Sequence, residues 1–272
     1  MVHGCMDKGS SSDRLPSCPL VTRPQIAADL RALGVRAGEI LLVHSSLKSI
    51  GRVEGGAEAV LGALRDVLTP EGTLVLPTLS YSAINGENPR FDVRTTPSCV
   101  GHLTNVFREL PGVVRSLHPT HSLAAWGRDA RALLADHELQ RTPGGCGSPY
   151  EKIALRGGQI LFLGTGLACN TMLHCVEEWA QVPDALTAHT QALQVVDYDG
   201  RVIPVAQRRH QGGHSRFYAK VEPLFARAGF MVEGKVGAAR CHRVDAARMT
   251  EYVLKLLKDD PFFFTHDRIP EF

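Results

Sequence analysis

The stretch GGQILFLGTGLACNTMLHCVEEW, residues 157–179, decides how the rest of the chain is read. Its residues 159–163 are a short apolar run, the pattern of a buried strand. Gly164-Thr165-Gly166 then breaks the run as a turn. Asn170 or Thr171 is placed to cap a helix, since a short side-chain oxygen there accepts an amide proton that the first turn leaves unpaired. Positions three and four apart share a helix face, so Thr171, His174, Glu177 and Glu178 fall close to one stripe near the mouth of the turn. An imidazole titrates near neutrality, and a carboxylate can hold it and balance its charge, so the stripe suits proton transfer. The plainer reading of the same window is a satisfied helix histidine beside two solvent-facing glutamates.

The totals narrow the choices. With 272 residues, 44% of them hydrophobic, the chain can bury the core of one large domain or two small ones. A formal charge of +2 with no dominant basic face does not indicate nucleic acid. Seven cysteines, an odd count without a C-x-x-C pair, read as reduced intracellular thiols. No apolar run is long enough to span a bilayer. Residues 1–20 lack the apolar segment of a signal peptide, and their Gly, Ser and Pro content reads as a disordered leader. A cytoplasmic protein is expected.

Working outward, strands alternate with helices. Residues 22–33 read as a helix with a capping threonine and a proline in its first turn, 39–43 as a strand, and 57–68 as a helix. Between the last two lies KSIGRVEGG, residues 48–56, whose glycines permit close backbone approach. That order resembles a phosphate cradle, though it matches neither G-x-x-x-x-G-K-[ST] nor G-x-G-x-x-G. An ordinary loop between strand and helix reads equally well. Residues 72–77 form the next strand, and 83–99 an irregular excursion long enough to be suspected of function. Helices are expected at 100–110 and 128–135 and a strand at 122–126. A glycine-rich loop, 137–148, runs into a helix that starts at Pro149. After the organising strand and helix, 192–198 and 202–205 pair as a hairpin across Asp199-Gly200. A basic loop at 208–216 precedes a helix at 217–228, a strand or hairpin at 230–241, and a last helix at 245–257. Alternation of this kind favours a layered α/β domain.

Twelve histidines invite a metal reading, but His118/His121 and His210/His214 form no H-E-x-x-H, and no third ligand stands at a usual spacing. No metal is expected. The absence of G-x-S-x-G excludes a standard α/β-hydrolase.

The segments LLVHSSLKSIGRVEGG, LVLPTLSYS, FDVRTTPSCVGHLTNVFRELPGVVRSLHPTHSLAAWG, GSPYEKI and LFLGTGLACNTMLHCVEE, in this order, resemble the aminoglycoside 3-N-acetyltransferase family. The resemblance runs from about residue 21 to the C-terminus. It implies a three-layer α/β/α sandwich with a smaller accessory region, an acetyltransferase domain over residues 21–272, and acetyl-coenzyme A as co-substrate. It implies a small-molecule amine as partner, an aminoglycoside acetylated at its 3-amino group, and hence antibiotic resistance. No nucleic-acid or membrane partner is implied, and the chain would be a monomer or homodimer. In the family a Thr-x-x-His pair carries catalysis. Here His174 would take the proton of the attacking amine, Thr171 would hydrogen-bond the oxyanion, and Glu177 would stabilise the imidazolium. The coenzyme would lie against His44, Ser45, Ser46, Leu47, Ile50, Gly51, Val53, Gly55 and Gly56. Thr78, Ser80, Arg115, His118 and Ser122 are second-tier candidates, and His137 and Ser148 read equally as loop-stabilising. A polycationic acceptor calls for a carboxylate-lined wall. Segments 83–96 and 182–216 offer Glu87, Asp92, Asp184, Asp197 and Asp199, but more arginines than that. The alternative is a coenzyme A-dependent acyltransferase of the same fold acting on another amine.

Overall fold

The computed structural model describes residues 20–211 and 213–269. The leader expected at 1–20 lies, Leu20 apart, outside the described residues. In chain order the elements are α1 (Arg23–Ala32), β1 (Ile40–Ser45), α2 (Gly56–Leu68), β2 (Thr73–Pro77), β3 (Arg90–Asp92), α3 (His102–Glu109), β4 (Val114–Arg115), β5 (Leu123–Gly127), α4 (Ala130–Leu134), α5 (Pro149–Leu155), β6 (Gln159–Leu163), α6 (Thr171–Trp179), β7 (Gln191–Val196), β8 (Val202–Gln207), α7 (Glu222–Arg227), β9 (Met231–Val236), β10 (Ala239–Asp245) and α8 (Ala246–Asp259).

Seven strands form one sheet in the order β4-β5-β2-β1-β6-β10-β9. Its centre is parallel: Leu42 of β1 lies between Val75 of β2 and Ile160 of β6. The flanking pairs are antiparallel. Strand side chains alternate between faces, and the apolar runs ILLV and ILFL therefore feed two cores at once. Ile40, Leu42, Ile160 and Phe162 pack with α5, α6 and α8, through residues such as Tyr150, Val176 and Val253. Leu41, Val43, Leu161 and Leu163 pack on the other side with α1, α2 and α3, through Leu30, Leu64 and Phe107. Helices on both faces of one sheet make the α/β/α sandwich.

The accessory region is a second sheet, β3-β7-β8, with its own small core of Phe91, Leu193, Val195 and Val205. The expected hairpin across Asp199-Gly200 is its antiparallel half. The excursion at 83–99 is not wholly irregular, because β3 inside it pairs in parallel with β7. The helix expected at 217–228 is divided: a 3-10 helix, His214–Val221, precedes α7. Pro223 sits in the first turn of α7, where its missing amide proton costs nothing, but it cannot continue a helix from before. Among the described residues, no helix is long and apolar enough to cross a membrane.

Candidate functional site

β1, β2 and β6 run parallel, and the chain leaves β1 for α2 on one face while β6 leads to α6 on the other. A crevice opens outside the carboxyl ends of parallel strands at such a switch point. A cavity of about 600 Å³ occupies that place. Its walls include Val43, His44 and Ser45 at the end of β1, Pro77 at the end of β2 and Leu79 just after it, and Thr165 and Ala168 to Thr171 after β6, with His174 one turn into α6. Gly164 lets the two central loops meet there. Its φ is +70°, and a Cβ would lie 2.7 Å from the Ser49 Cβ and 3.1 Å from that of Ala239. Only glycine fits so tight a left-handed position.

Asn170 caps α6, its side-chain oxygen accepting from the Met172 amide at 3.1 Å. Thr171 and His174 then line the cavity, and Glu177 falls behind His174 with 1% of its surface exposed. The Glu177 Oε2 stands 3.4 Å from His174 Nδ1. Between them reaches the hydroxyl of Tyr218, from the 3-10 helix His214–Val221. It lies 2.6 Å from His174 Nδ1 and donates a short hydrogen bond to Glu177 Oε2. Burial and the Glu177 carboxylate push the Tyr218 phenol well up, so it stays protonated.

Glu178 does not face solvent either. Its Oε1 accepts from the Gly144 amide at 2.9 Å and pairs with His210 Nε2. The His210 ring stacks on His174 with centroids 4.7 Å apart. Trp179 Nε1 donates to the Gly144 carbonyl at 2.6 Å. A Cβ on Gly144 would sit 2.5 Å from the Cys175 sulfur, so the glycine-rich loop lies directly on α6. The plain reading of two solvent-facing glutamates is therefore corrected. Cys175 itself is core.

Further rings continue inward from His210. His121 meets it edge-on at 5.0 Å, and His118 follows, tilted against His137 at 4.4 Å. His118 Nδ1 accepts from the amides of Thr120 (3.3 Å) and His121 (2.9 Å), so the H-x-x-H pair closes a turn. His137 Nδ1 meets the Ser116 hydroxyl at 2.8 Å. Ser148 caps α5, accepting from Glu151. Burial lowers the pKa of His118 and His121 and takes that of His137 to about 3.

The candidate coenzyme residues separate into groups. His44 and Ser45 line the cavity. The His44 ring stacks on Phe162 at 5.3 Å, its Nε2 is buried without a partner among the described residues, and burial lowers its pKa to about 4. Ser46, Leu47, Gly51 and Val53 follow along the loop at intermediate exposure, and Gly55 and Gly56, φ +75° and +56°, open α2. Ile50 is different: its side chain is fully buried in the core and its carbonyl accepts from Ala238 at 3.0 Å.

Thr78, Ser80, Arg115 and Ser122 form an internal knot. Arg115 Nε donates to Thr78 Oγ1 (3.1 Å) and Ser122 Oγ (3.0 Å), and its other nitrogens to the carbonyls of Thr78 (2.7 Å) and Thr96 (2.5 Å). Ser80 donates to the Pro119 carbonyl at 2.7 Å. Burial lowers the pKa of this deep guanidinium to about 9, and hydroxyl and carbonyl oxygens replace the water it has lost. These four are tied to one another and to nearby backbone, and the Ile50 side chain lies in the core.

Sequence reasoning missed Tyr218, and it met His210 only as half of an H-x-x-x-H. Neither carries a local signal, for they come 44 and 36 positions after His174. Tyr81 and Arg209 also line the cavity, joined by an Arg209 Nη2 bond to the Tyr81 carbonyl at 2.6 Å.

Residues 42–258 match the family described as aminoglycoside 3-N-acetyltransferase. The chain is similar to aminoglycoside N(3)-acetyltransferase IV of Salmonella sp, with 34% identity over 246 residues, covering 90% of each chain. It is also similar to the SPbeta prophage-derived aminoglycoside N(3')-acetyltransferase-like protein YokD of Bacillus subtilis (strain 168), 31% identical over 86% of this chain and 91% of that one. Among solved structures, aminoglycoside acetyltransferase AAC(3)-IVa in complex with gentamicin superposes with a TM-score of 0.82 at 30% identity, over 93% of this chain and 94% of that one. AAC-IIIb with coenzyme A superposes with a TM-score of 0.78 at 28% identity, over 89% and 97%. The strand ends, the cap at Asn170 and the Thr-x-x-His pair at the cavity thus stand in a chain that belongs to the aminoglycoside 3-N-acetyltransferase family.

Proposed function

We propose that the protein is an acetyl-coenzyme A-dependent N-acetyltransferase, an acyltransferase that modifies the 3-amino group of aminoglycosides and so confers antibiotic resistance. The observation that carries this reading is His174, at the cavity wall with Glu177 and Tyr218 behind it. Free alkylamines are mostly protonated at neutral pH and cannot attack in that form. His174 takes a proton from the amine as its nitrogen bonds to the thioester carbonyl carbon. Thr171 hydrogen-bonds the carbonyl oxygen, an interaction that strengthens as negative charge gathers there. Glu177 stabilises the imidazolium. When the carbon–sulfur bond breaks, the His174 imidazolium gives that proton to the departing thiolate, which leaves as the coenzyme thiol; the amide nitrogen and the imidazole are neutral, and the extra proton of an amine that arrived as ammonium has gone to solvent. The donor supplies only an activated acetyl group. Direct transfer of this kind needs no metal and no acyl-enzyme.

The residues present fit the donor. His44 and Ser45 border the cavity, and among the described residues the His44 Nε2 has no partner and a Cβ on Gly56 would meet nothing within 4 Å. Ser46, Leu47, Gly51, Val53, Gly55 and Gly56 offer the backbone along which its pyrophosphate and pantetheine run. Relatives in the family carry coenzyme A and gentamicin in their structures. We place the protein in the cytoplasm, where the coenzyme is.

One observation favours a second reading. Among the described residues that line the cavity none is a carboxylate, and Arg209 carries the formal charge. A polycation loses its water there without ion-pair compensation. An amine with fewer positive charges suits that lining better.

The test is thiol release from acetyl-coenzyme A with a panel of aminoglycosides, one lacking the 3-amino group, beside simple primary amines and amino acids. Release with the intact drugs alone supports the first reading. Release with the other amines alone establishes the second, and silence with coenzyme binding intact removes both acceptors.

A further inference from the structure

We infer that Tyr218 is a positioning residue that fixes the tautomer of His174. The inference rests on the reading of His174 as the base of an acetyl transfer, and it stands on the geometry behind that ring. The Tyr218 hydroxyl is within hydrogen-bond distance of both His174 Nδ1 and Glu177 Oε2. A phenol has one proton to donate. Glu177 is buried, and as a carboxylate it can only accept. The phenol proton therefore points at Glu177. Turned the other way, it would leave a carboxylate oxygen facing a phenol oxygen at a short separation with no proton between them. The phenol oxygen then accepts from His174, so the proton of the neutral imidazole sits on Nδ1. Nε2 is the unprotonated nitrogen, the one that can take a proton from an amine. When it does, the new charge is carried along Nδ1–H to the phenol oxygen and on to the carboxylate. Glu177 thus acts on the base partly through a tyrosine.

The fold holds this hydroxyl firmly. Tyr218 is fully buried, its ring meets Phe264 edge-on at 4.7 Å and His174 at 4.8 Å. The 3-10 helix that carries it is closed by α7 and lies against the segment around Phe263. A tautomer set by a buried donor–acceptor chain does not depend on solvent, and the wrong tautomer removes the base altogether.

Tyr218→Phe keeps the ring and removes only the hydroxyl. With 15N-histidine-labelled protein at neutral pH, long-range proton–nitrogen correlations report which ring nitrogen carries the proton, and the His174 signal is identified by its loss in His174→Ala. The expected result is an Nδ1–H tautomer for His174 in the native protein and a shift toward Nε2–H or a mixture in Tyr218→Phe. In turnover with gentamicin and acetyl-coenzyme A, kcat should fall about 10- to 100-fold, part of what general-base catalysis supplies. Coenzyme affinity should not change. A native His174 that is Nε2–H or doubly protonated overturns the proposal, as does a variant with native tautomer and native kcat. If the native enzyme releases no thiol with any aminoglycoside, the acceptor reading fails while the tautomer result still decides the role of Tyr218. Should Tyr218→Phe not fold, a native His174 that is Nε2–H or doubly protonated still overturns the proposal.

Discussion

His174 and His118 belong to one series of ring contacts, yet their surroundings are opposite. The His174 side chain is 19% exposed at a cavity wall and is backed by a phenol and a carboxylate. His118 is fully buried, with Nδ1 occupied by two backbone amides and the His137 ring against it. Access and an anionic partner suit one imidazole to the base role proposed for it; enclosure and neutral partners make the other a turn-holder. The largest effect should come from the first. His174→Ala is expected to lower kcat about 10²- to 10⁴-fold, the range of general-base catalysis, with coenzyme affinity and the urea midpoint nearly native. A variant that keeps most of its kcat removes His174 from that role.

The second site should respond the other way. His118→Leu leaves the amides of Thr120 and His121 buried without an acceptor. A loss of about 2–4 kcal/mol in urea unfolding is expected, with activity per folded molecule retained. If activity falls while the midpoint holds, the division between the two histidines is wrong. Gly144→Ala tests the wall between them. Its Cβ would collide with Cys175, and about 1–3 kcal/mol of strain should appear, with the Glu178–His210 pair displaced.

The sequence shows what is local. The run 159–163 became β6 and Asn170 became the cap of α6, because an apolar strand ended by glycine and a short polar cap are each decided within a few residues. β3 was hidden because Arg90–Asp92 is three mixed residues that become a strand only against β7, about a hundred positions later. At Arg115, Thr78 and Ser122 residue type alone leaves two readings open. Polar side chains at strand ends suit a ligand equally well, and only the fold turns these toward one another. Thr171 and His174 were legible by spacing. The partners that complete the arrangement, Tyr218 and His210, come from a distant segment whose sequence reads merely as a basic loop and the start of a helix, and only the fold brings His210 to Glu178.

The smallest effect tests how dry the enclosed imidazoles are. Burial holds the folded pKa of His44 at about 4 and that of His137 at about 3, against 6.5 in the unfolded chain. Below 6.5 the unfolded chain binds protons that these rings refuse, so stability falls as the pH drops through the window between the two values. It is fully present above 6.5. One pH unit below 6.5, each imidazole should have removed about 1.4 kcal/mol, and the loss should go on growing toward pH 4, with its steepest slope at about pH 5. Urea unfolding across this range measures the slope. His44→Phe keeps an aromatic ring against Phe162 and should remove one imidazole's share of it. An unchanged slope would mean that His44 titrates in water like an ordinary histidine. It would then lie at an open mouth of the cavity rather than in its dry floor, and the contrast with His174 would narrow to the carboxylate alone.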